Sequence, residues 1–341
     1  MLNGDGSRLA LFDLRQDGCF FDPTGEQVVV IGVADLQCFF ASLDQCFEAP
    51  IGRKILYAAT DAEELVLQSE TFSIPRWLGK KRVLRDMNQR FLSMGWGVLE
   101  PSAIKYPIHD ALSVGFALAH HEHSTGLRWN IEWSQQTSEH IRLAFQSKPQ
   151  TMHPAARPEI SGWGQHVSTK MTGLQTVLDI DERPYGFFVG DQRSAFLPVA
   201  FFHILADQLR GRQQSITARA EAALTFSGHV ANADLFVTFA SAAKRMFQDS
   251  TTPVFVRHDL DWQELLAHRL TNFGFGSVEV EESVVGGGES TVFSVQSSIP
   301  AVVCGLLMGM WERCHGSRCK ADVFIYPDKL QLSIKKPEVD Y

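Results

Sequence analysis

The stretch Gly274-Phe275-Gly276 decides the fold, because it separates a helical pattern from a strand pattern. In front of it, residues 262–273 place apolar side chains at helical spacing. Behind it, residues 278–281 alternate valine with glutamate, which is the period of a half-exposed strand. Glycine is common just past the end of a helix. The stretch therefore predicts a helix, a tight break and then an antiparallel hairpin.

A second Gly-aromatic-Gly stretch, Gly95-Trp96-Gly97, lies in the first half of the sequence. It also follows a helical stripe, over residues 81–94, and it precedes residues with strand-like alternation. We therefore predict an α+β fold of two diverged tandem copies of one unit, each a helix plus an antiparallel four-stranded sheet. Residues 1–146 form the N-terminal copy, residues 147–170 a proline-containing linker, and residues 171–341 the C-terminal copy.

The two copies are predicted to differ between their hairpins. In the second copy, a helix over residues 300–314 joins a hairpin at 278–295 to another at 323–334. In the first copy, residues 111–119 are interpreted as a strand, so that only the stretch His120-His121-Glu122-His123 joins the two hairpins. The first sheet would then lack a covering helix. Its apolar face would need the other half, a second subunit or a partner protein to cover it.

Shorter patterns predict the remaining elements. Strands are expected at residues 8–14, 27–33, 174–180 and 185–189. Residues 127–133 and 139–145 alternate and are expected to form the second hairpin of the first copy, around residues 134–138. Helices are expected at residues 55–73, around 198–209, over roughly 217–247 as one helix or as two with a break near Gly228, and from Ala34 or Asp35 onward. His258, Asp259 and Asp261 could be drawn as an acid/base group, but they fit a helix start better, with Asp261 as the N-cap.

Composition excludes several classes of protein. The chain has 341 residues, of which 45% are hydrophobic, so it can bury one large core or two of ordinary size, and two domains are favoured. A net charge of −8 and a pI near 5.8 give no basic footprint for nucleic acid. Six cysteines without a secretory leader predict reduced thiols and a cytoplasmic location. The longest apolar run is too short to predict a membrane span.

The stretch at 274–279, the stretch at 303–309 and the closing hairpin together resemble the four-vinyl reductase domain, a small α+β module of archaeal and bacterial proteins. The similarity covers residues 261–335, extends over 185–335 as a whole domain, and is weaker in 8–146. The resemblance implies binding of a hydrocarbon-like small molecule and brings no catalytic residue with it. Zinc-binding members carry a cysteine that Cys304 matches, but their two further cysteines have no counterpart in the following strands here.

The stretch His120-His121-Glu122-His123 has the residue types of a metal site. In a strand, alternate residues face the same side, so His121 and His123 could share an ion. A full set of ligands would still have to come from elsewhere in the chain. A solvated, pH-sensitive connector is therefore the favoured alternative.

Cys314, His315 and Cys319 form a second candidate set of metal ligands. A second closely spaced cysteine pair, which a typical zinc site has, is missing from the sequence. A loop of reduced cysteines is the favoured alternative. We predict no metal, no cofactor and no catalytic residue.

Three functions from different classes remain. The first is a non-enzymatic protein that binds a hydrophobic or aromatic small molecule in an apolar pocket of the second half. The residues expected to line this pocket are Phe196, His203, Phe273, Cys304 and Met308.

The second is an assembly adaptor or structural scaffold, in which the first half binds a protein partner or a second copy of the chain to form a homo-oligomer. The third is an enzyme or accessory factor in tetrapyrrole or aromatic-compound metabolism that uses the histidine cluster. Binding and assembly are favoured over catalysis, because the sequence is rich in apolar pattern and poor in convergent polar groups.

Overall fold

A computed structural model describes residues 12–68, 80–151, 163, 173–174, 178–214, 224–228, 230–284, 290–326 and 329–337. Every structural statement below concerns these residues. They form eight α-helices and three sheets, which confirms the mixed α+β class. Within this part of the chain no helix is both long and apolar enough to cross a membrane.

The elements are numbered in chain order. The helices are α1 Val33–Gln45, α2 Gly52–Leu67, α3 Lys80–Ser93, α4 Asp110–Thr125, α5 Val199–Leu209, α6 Ala233–Asp249, α7 Asp259–Arg269 and α8 Pro300–His315. The strands are β1 Asp13–Arg15, β2 Phe20–Phe21, β3 Gln27–Gly32, β4 Val98–Glu100, β5 Ala103–Lys105, β6 Leu127–Thr137, β7 His140–Thr151, β8 Gly173–Leu174, β9 Ile180–Arg183, β10 Gly186–Val189, β11 Gln192–Pro198, β12 Leu224–Ser227, β13 Ser277–Val284, β14 Ser290–Gln296, β15 Lys320–Ile325 and β16 Leu330–Lys335.

The central sheet contains strands from both halves of the sequence. Its order is β8-β1-β2-β3-β11-β10-β9, and every pair is antiparallel. The middle pair is β3 with β11, where Val29 lies opposite Leu197 and both side chains are fully buried. A continuous apolar strand suits this position because helices cover it. In the sequence, β3 lies before the predicted linker and β11 lies after it. The division into two domains stays a prediction.

The two outer sheets have the same strand order. One runs β4-β5-β7-β6 and the other contains β13-β14-β16-β15. All of these pairs are antiparallel. The second sheet has one more strand, β12, which pairs with β15 in the parallel direction. The two outer sheets therefore differ in whether a fifth strand covers this edge.

Both Gly-aromatic-Gly stretches break the chain in the way that the sequence predicts. Gly95 and Gly274 have φ angles of +76° and +84°, the left-handed conformation that glycine adopts without strain. A Cβ on Gly95 would lie 2.6 Å from the carbonyl oxygen of Ser194 in β11, and one on Gly274 would lie 2.8 Å from that of Val28 in β3. Each stretch therefore packs on a central strand from the opposite half of the sequence.

Hydrogen bonds also join each Gly-aromatic-Gly stretch to a residue from the opposite half of the sequence. The indole N–H of Trp96 donates to the carbonyl oxygen of Phe196 at 2.7 Å. In the other half, the backbone N–H of Gly276 donates to the carbonyl oxygen of Gly18 at 3.0 Å. The Gly-aromatic-Gly stretches thus connect both outer sheets to the central sheet.

The prediction that residues 111–119 form a strand is wrong, because they lie in helix α4. The helix is buried on almost every side, so its apolar residues form a continuous run that periodicity cannot separate from a buried strand. Gly115 allows α4 to approach α2: a Cβ there would lie 2.3 Å from the carbonyl oxygen of Leu56. The first half therefore has a helix between its hairpins, and the predicted loss of that helix is wrong.

Several other boundaries differ from the sequence predictions. Within the predicted helix 217–247, residues 224–227 form the strand β12, and α6 begins at Ala233. His258 is the N-cap of α7, and Asp261 is its partner in a capping box. Residues 147–151 continue β7, and most of the remaining predicted linker lies outside the described residues.

Other predictions lie partly outside the described residues, namely 8–11 of the first strand, 69–73 of the second helix, 175–177 of the strand at 174–180, and 217–223 and 229 of the helix predicted over 217–247. The helices predicted from Ala34 or Asp35, over 81–94, around 198–209 and over 300–314 are confirmed within one or two residues. The hairpins at 278–295 and 323–334 are also confirmed.

Candidate functional site

The residues predicted to line a ligand pocket lie on three different elements and in one turn. Phe196 lies in β11, where its ring stacks on Phe12 with centroids 4.0 Å apart. His203 is buried in α5, and burial lowers its pKa to about 4. Phe273 is half-buried in a short turn after α7, whereas Cys304 and Met308 are buried in α8. A ligand between these elements stays a prediction.

The histidine stretch at 120–123 is part of helix α4, so its interpretation as a strand-like or solvated connector is wrong. His120 is buried, with 1% of its surface exposed. His121 stacks on Phe145 with centroids 3.9 Å apart and lies edge-on to Trp129. Among the described residues, no group of three or more His, Cys, Asp or Glu side chains could hold a metal ion.

His120 belongs instead to a buried ionic cluster that joins four elements. Arg90 of α3 binds Glu63 of α2 through two nitrogens, at 2.5 Å and 2.9 Å. A third nitrogen of Arg90 donates to Asp22, in the turn between β2 and β3, at 3.1 Å. His120 Nε2 lies 2.9 Å from Glu63 Oε1, although the contact does not meet hydrogen-bond geometry. All four side chains are buried.

Electrostatics keep Glu63 and Arg90 of this cluster ionised. Burial alone would raise the pKa of Glu63, but Arg90 and His120 offset that effect and lower it. The arginine likewise remains charged, because the two carboxylates outweigh its desolvation. Removing one partner from such a buried set leaves an uncompensated charge. The cluster therefore stabilises the packing of α2, α3 and α4 against the central sheet.

A second ionic cluster lies where α4 ends and β6 begins. Glu122 is buried and accepts a hydrogen bond from the backbone N–H of Trp129 at 2.7 Å. Its other oxygen binds Arg128 at 2.6 Å, and Arg128 also binds Glu64 of α2 at 2.8 Å. These bonds hold the first residues of β6 against the two helices.

The second half has the same arrangement at the corresponding place. Glu122 and Glu312 each occupy the thirteenth position of a 16-residue helix. Glu312 accepts a hydrogen bond from the backbone N–H of Cys319 at 2.8 Å. It also forms an ion pair with Lys244, whose Nζ lies 2.7 Å from Glu312 Oε1. Trp129 and Cys319 each lie four residues beyond the helix. Cys319 is thus a buried residue beside a carboxylate, and not part of the predicted surface loop.

The candidate interaction surface is the hairpin of β6 and β7, which we call the β6/β7 ribbon (Leu127–Thr137 and His140–Thr151). Its strands contain 11 and 12 residues, whereas β4 and β5 contain three each. Most of the ribbon therefore extends beyond the rest of its sheet. Trp129, Ile131, Trp133 and Phe145 lie partly buried along it.

The direction of the Trp129 N–H identifies the open edge of β6. Because this N–H donates to Glu122, it points away from β7. The pairing of β6 with β7 is regular from Trp129 to Gln135, and backbone directions alternate along a strand. The N–H and C=O groups of Ile131 and Trp133 therefore point to the same outer edge. No described strand pairs with β6 along that edge.

In the second half, β12 occupies the corresponding edge. Ala321 and Val323 lie at the same distance from their helix as Ile131 and Trp133 do from α4. β12 pairs with these two residues of β15, and their side chains are almost fully buried. The second half therefore shows how a further strand completes a sheet of this order.

No family model, no curated protein and no solved structure matches this chain. Sequence reasoning found the alternation of the β6/β7 ribbon but missed the open edge of β6. The available signal was Glu122, which lies at the same helical position as Glu312.

Proposed function

We propose that this protein is a non-enzymatic assembly protein built from two diverged copies of one α+β unit. The shared strand order of the two outer sheets supports the two-copy interpretation. So do Gly115 and Gly305, each the sixth residue of a 16-residue helix and each packed against the backbone of another helix. We also propose that the second copy is related to the four-vinyl reductase domain, which it resembles in sequence.

In this proposal the first half supplies the assembly surface, through the β6/β7 ribbon. The observation that carries it is the unpaired edge of β6, at a place where the second half pairs β12 with β15. An unpaired edge presents backbone donors and acceptors to a further strand. The half-buried Trp129, Ile131 and Trp133 would be covered further by such a strand.

The polar groups of the first half favour assembly over catalysis. Glu63, Arg90 and His120 are enclosed inside the fold, and Glu122 is bound to the backbone of β6. A catalytic group has to reach a substrate. These groups instead join helices to strands, which suits a protein that presents a surface.

Light scattering on the full chain tests the proposal. We expect the wild type to associate to a mass above the 38.1 kDa of one chain. Ile131→Pro removes an N–H that points away from β7, so it should spare the hairpin but block a further strand. That variant should remain at the mass of one chain.

Ile131→Thr is the matched control, because it changes the same side chain and keeps the N–H. It should associate as the wild type does. The circular dichroism of both variants should equal that of the wild type, which shows that the fold is intact. A wild type that stays monomeric over the whole concentration range would overturn the proposed function.

A further inference from the structure

The outer edge of β6 contains a stretch whose residue classes are the same in both directions. Trp129-Asn130-Ile131-Glu132-Trp133 is aromatic, polar, aliphatic, polar and aromatic. When two identical strands pair antiparallel about a twofold axis, each residue meets the one at the mirrored position. A stretch of this kind is therefore complementary to a second copy of itself.

We propose that two copies of the chain pair through β6, antiparallel, with Ile131 on the twofold axis. Trp129 then lies opposite Trp133 of the partner subunit, and Asn130 lies opposite Glu132 of the partner subunit. The two four-stranded sheets join into one continuous sheet, with helix α4 of each copy on the same face. This inference rests on the proposed function and names the partner and the register.

Backbone directions favour this register. The N–H and C=O groups of Ile131 point outward, so the two copies of Ile131 exchange two hydrogen bonds at the axis. The outward N–H of Trp133 can donate to the carbonyl of the partner's Trp129. The N–H of Trp129 is already bound to Glu122, which leaves its carbonyl to accept. If the axis lay nearer to Trp129, the N–H that is already bound to Glu122 would lie closer to the centre of the paired strands, which disfavours such a register.

Side chains argue against the neighbouring registers. An axis at Glu132 would set two carboxylates directly opposite each other, and like charges at that spacing repel. An axis at Trp133 would set Ile131 opposite the partner's Gln135, so that an apolar residue faces an amide. With the axis at Ile131, aromatic pairs flank the centre, and Glu132 faces a neutral amide. Cross-strand aromatic pairs are favourable in antiparallel sheets.

Disulfide cross-linking of the full chain tests the register. Asn130 and Glu132 are exposed in β6, so a cysteine at either place should not disturb the fold. In the proposed register, residue 130 faces residue 132 of the other copy as a non-hydrogen-bonded pair, a separation that a disulfide can span. Two copies of residue 130, or two of residue 132, are offset along the strands and lie farther apart.

A mixture of Asn130→Cys and Glu132→Cys proteins should therefore give covalent dimer at about ten times the yield of either variant alone. Peptide mapping should locate the bond between positions 130 and 132. The wild type, with its six cysteines, gives the background. Association in light scattering without this cross-link would overturn the register and leave the proposed function standing. A monomer at every concentration would overturn both.

Discussion

The two outer sheets have one strand order but treat their edges differently. In the second half, β12 pairs with β15, and the strands β13 to β16 have similar lengths. In the first half, β6 and β7 are long, β4 and β5 are short, and no described strand covers β6. Among the described residues, the outer sheet of the second half is therefore extended by a further strand of the chain, whereas the outer sheet of the first half ends at β6. The assembly function proposed above depends on this difference.

The interiors differ at matching positions as well. Leu56 and Ala240 each contact the glycine of the facing helix, and Glu63 and Phe247 each lie seven residues further on. The first half therefore has a carboxylate where the second half has a phenyl ring. A buried ion pair adds little net stability over an apolar pair, but breaking it is costly. Removal of a charged side chain should thus lower the free energy of unfolding more in the first half than at the matching position of the second half.

The largest expected effect comes from Arg90→Ala. Without the arginine, Asp22 and Glu63 are two buried carboxylates with a lost partner, so we expect a loss of about 3–5 kcal/mol in the free energy of unfolding. The matched control is Arg269→Ala, which also lies five residues before its Gly-aromatic-Gly stretch but is exposed. Its effect should stay within about 0.5 kcal/mol. Urea unfolding measures both, and equal losses would contradict the comparison.

An intermediate effect is expected from Gly115→Ala and Gly305→Ala. The new methyl groups would lie 2.3 Å and 2.1 Å from a backbone oxygen of the facing helix, so the helices would have to separate. Each variant should lose about 1–3 kcal/mol, and the two losses should be similar if the units correspond.

Gly52→Ala, at the open first position of α2, is the control for these two variants. It should stay within about 1 kcal/mol of the wild type, on the stabilising side. A loss confined to one half would argue against equivalent helix pairs. Thermal unfolding measured by calorimetry provides the comparison.

The smallest expected effect is pH-dependent and concerns His109. Burial lowers the pKa of His109 to about 4, and Asp44 only partly opposes this. Since the folded pKa lies below the unfolded value of about 6.5, the histidine contributes stability above pH 6.5 that is lost as the pH falls toward 4. Ile299 occupies the matching position before α8, so His109→Ile should reduce that loss.

Unfolding by urea at pH 7 and at pH 5 measures this difference. The variant should lose about 1 kcal/mol less than the wild type between the two values. His268→Gln, at an exposed position, is the control and should follow the wild type. A variant with an unchanged pH dependence would show that His109 does not remain neutral inside the fold.

The sequence predicted helix α8 but not helix α4, for a physical reason. α8 is preceded by a strand with clear alternation, begins with Pro300 and is followed by Gly316. Residues 111–119 are apolar nearly without interruption, and a short buried helix and a buried strand share that pattern. The left-handed Gly126 after Thr125 was the sign of a helix end.

The candidate site was predictable only in part. The alternation at 127–133 and 139–145 predicted the hairpin of β6 and β7, which is confirmed with Ile131 opposite Phe145. The ionic cluster of Asp22, Glu63 and Arg90 could not be predicted, since its members are far apart in sequence and meet only after packing. The strand β12 that marks the difference between the edges has four residues, too few for a periodic pattern.

The hydrogen bond from Trp96 to Phe196 also orders events during synthesis. Its two residues are 100 positions apart in the chain. At about 5–20 residues per second, the ribosome adds the acceptor roughly 5–20 s after the indole has been made. The strands of the β6/β7 ribbon are translated within that interval. Until the ribosome has added β11, the indole N–H of Trp96 lacks its acceptor, so this contact with the central sheet forms only after the β6/β7 ribbon has been made.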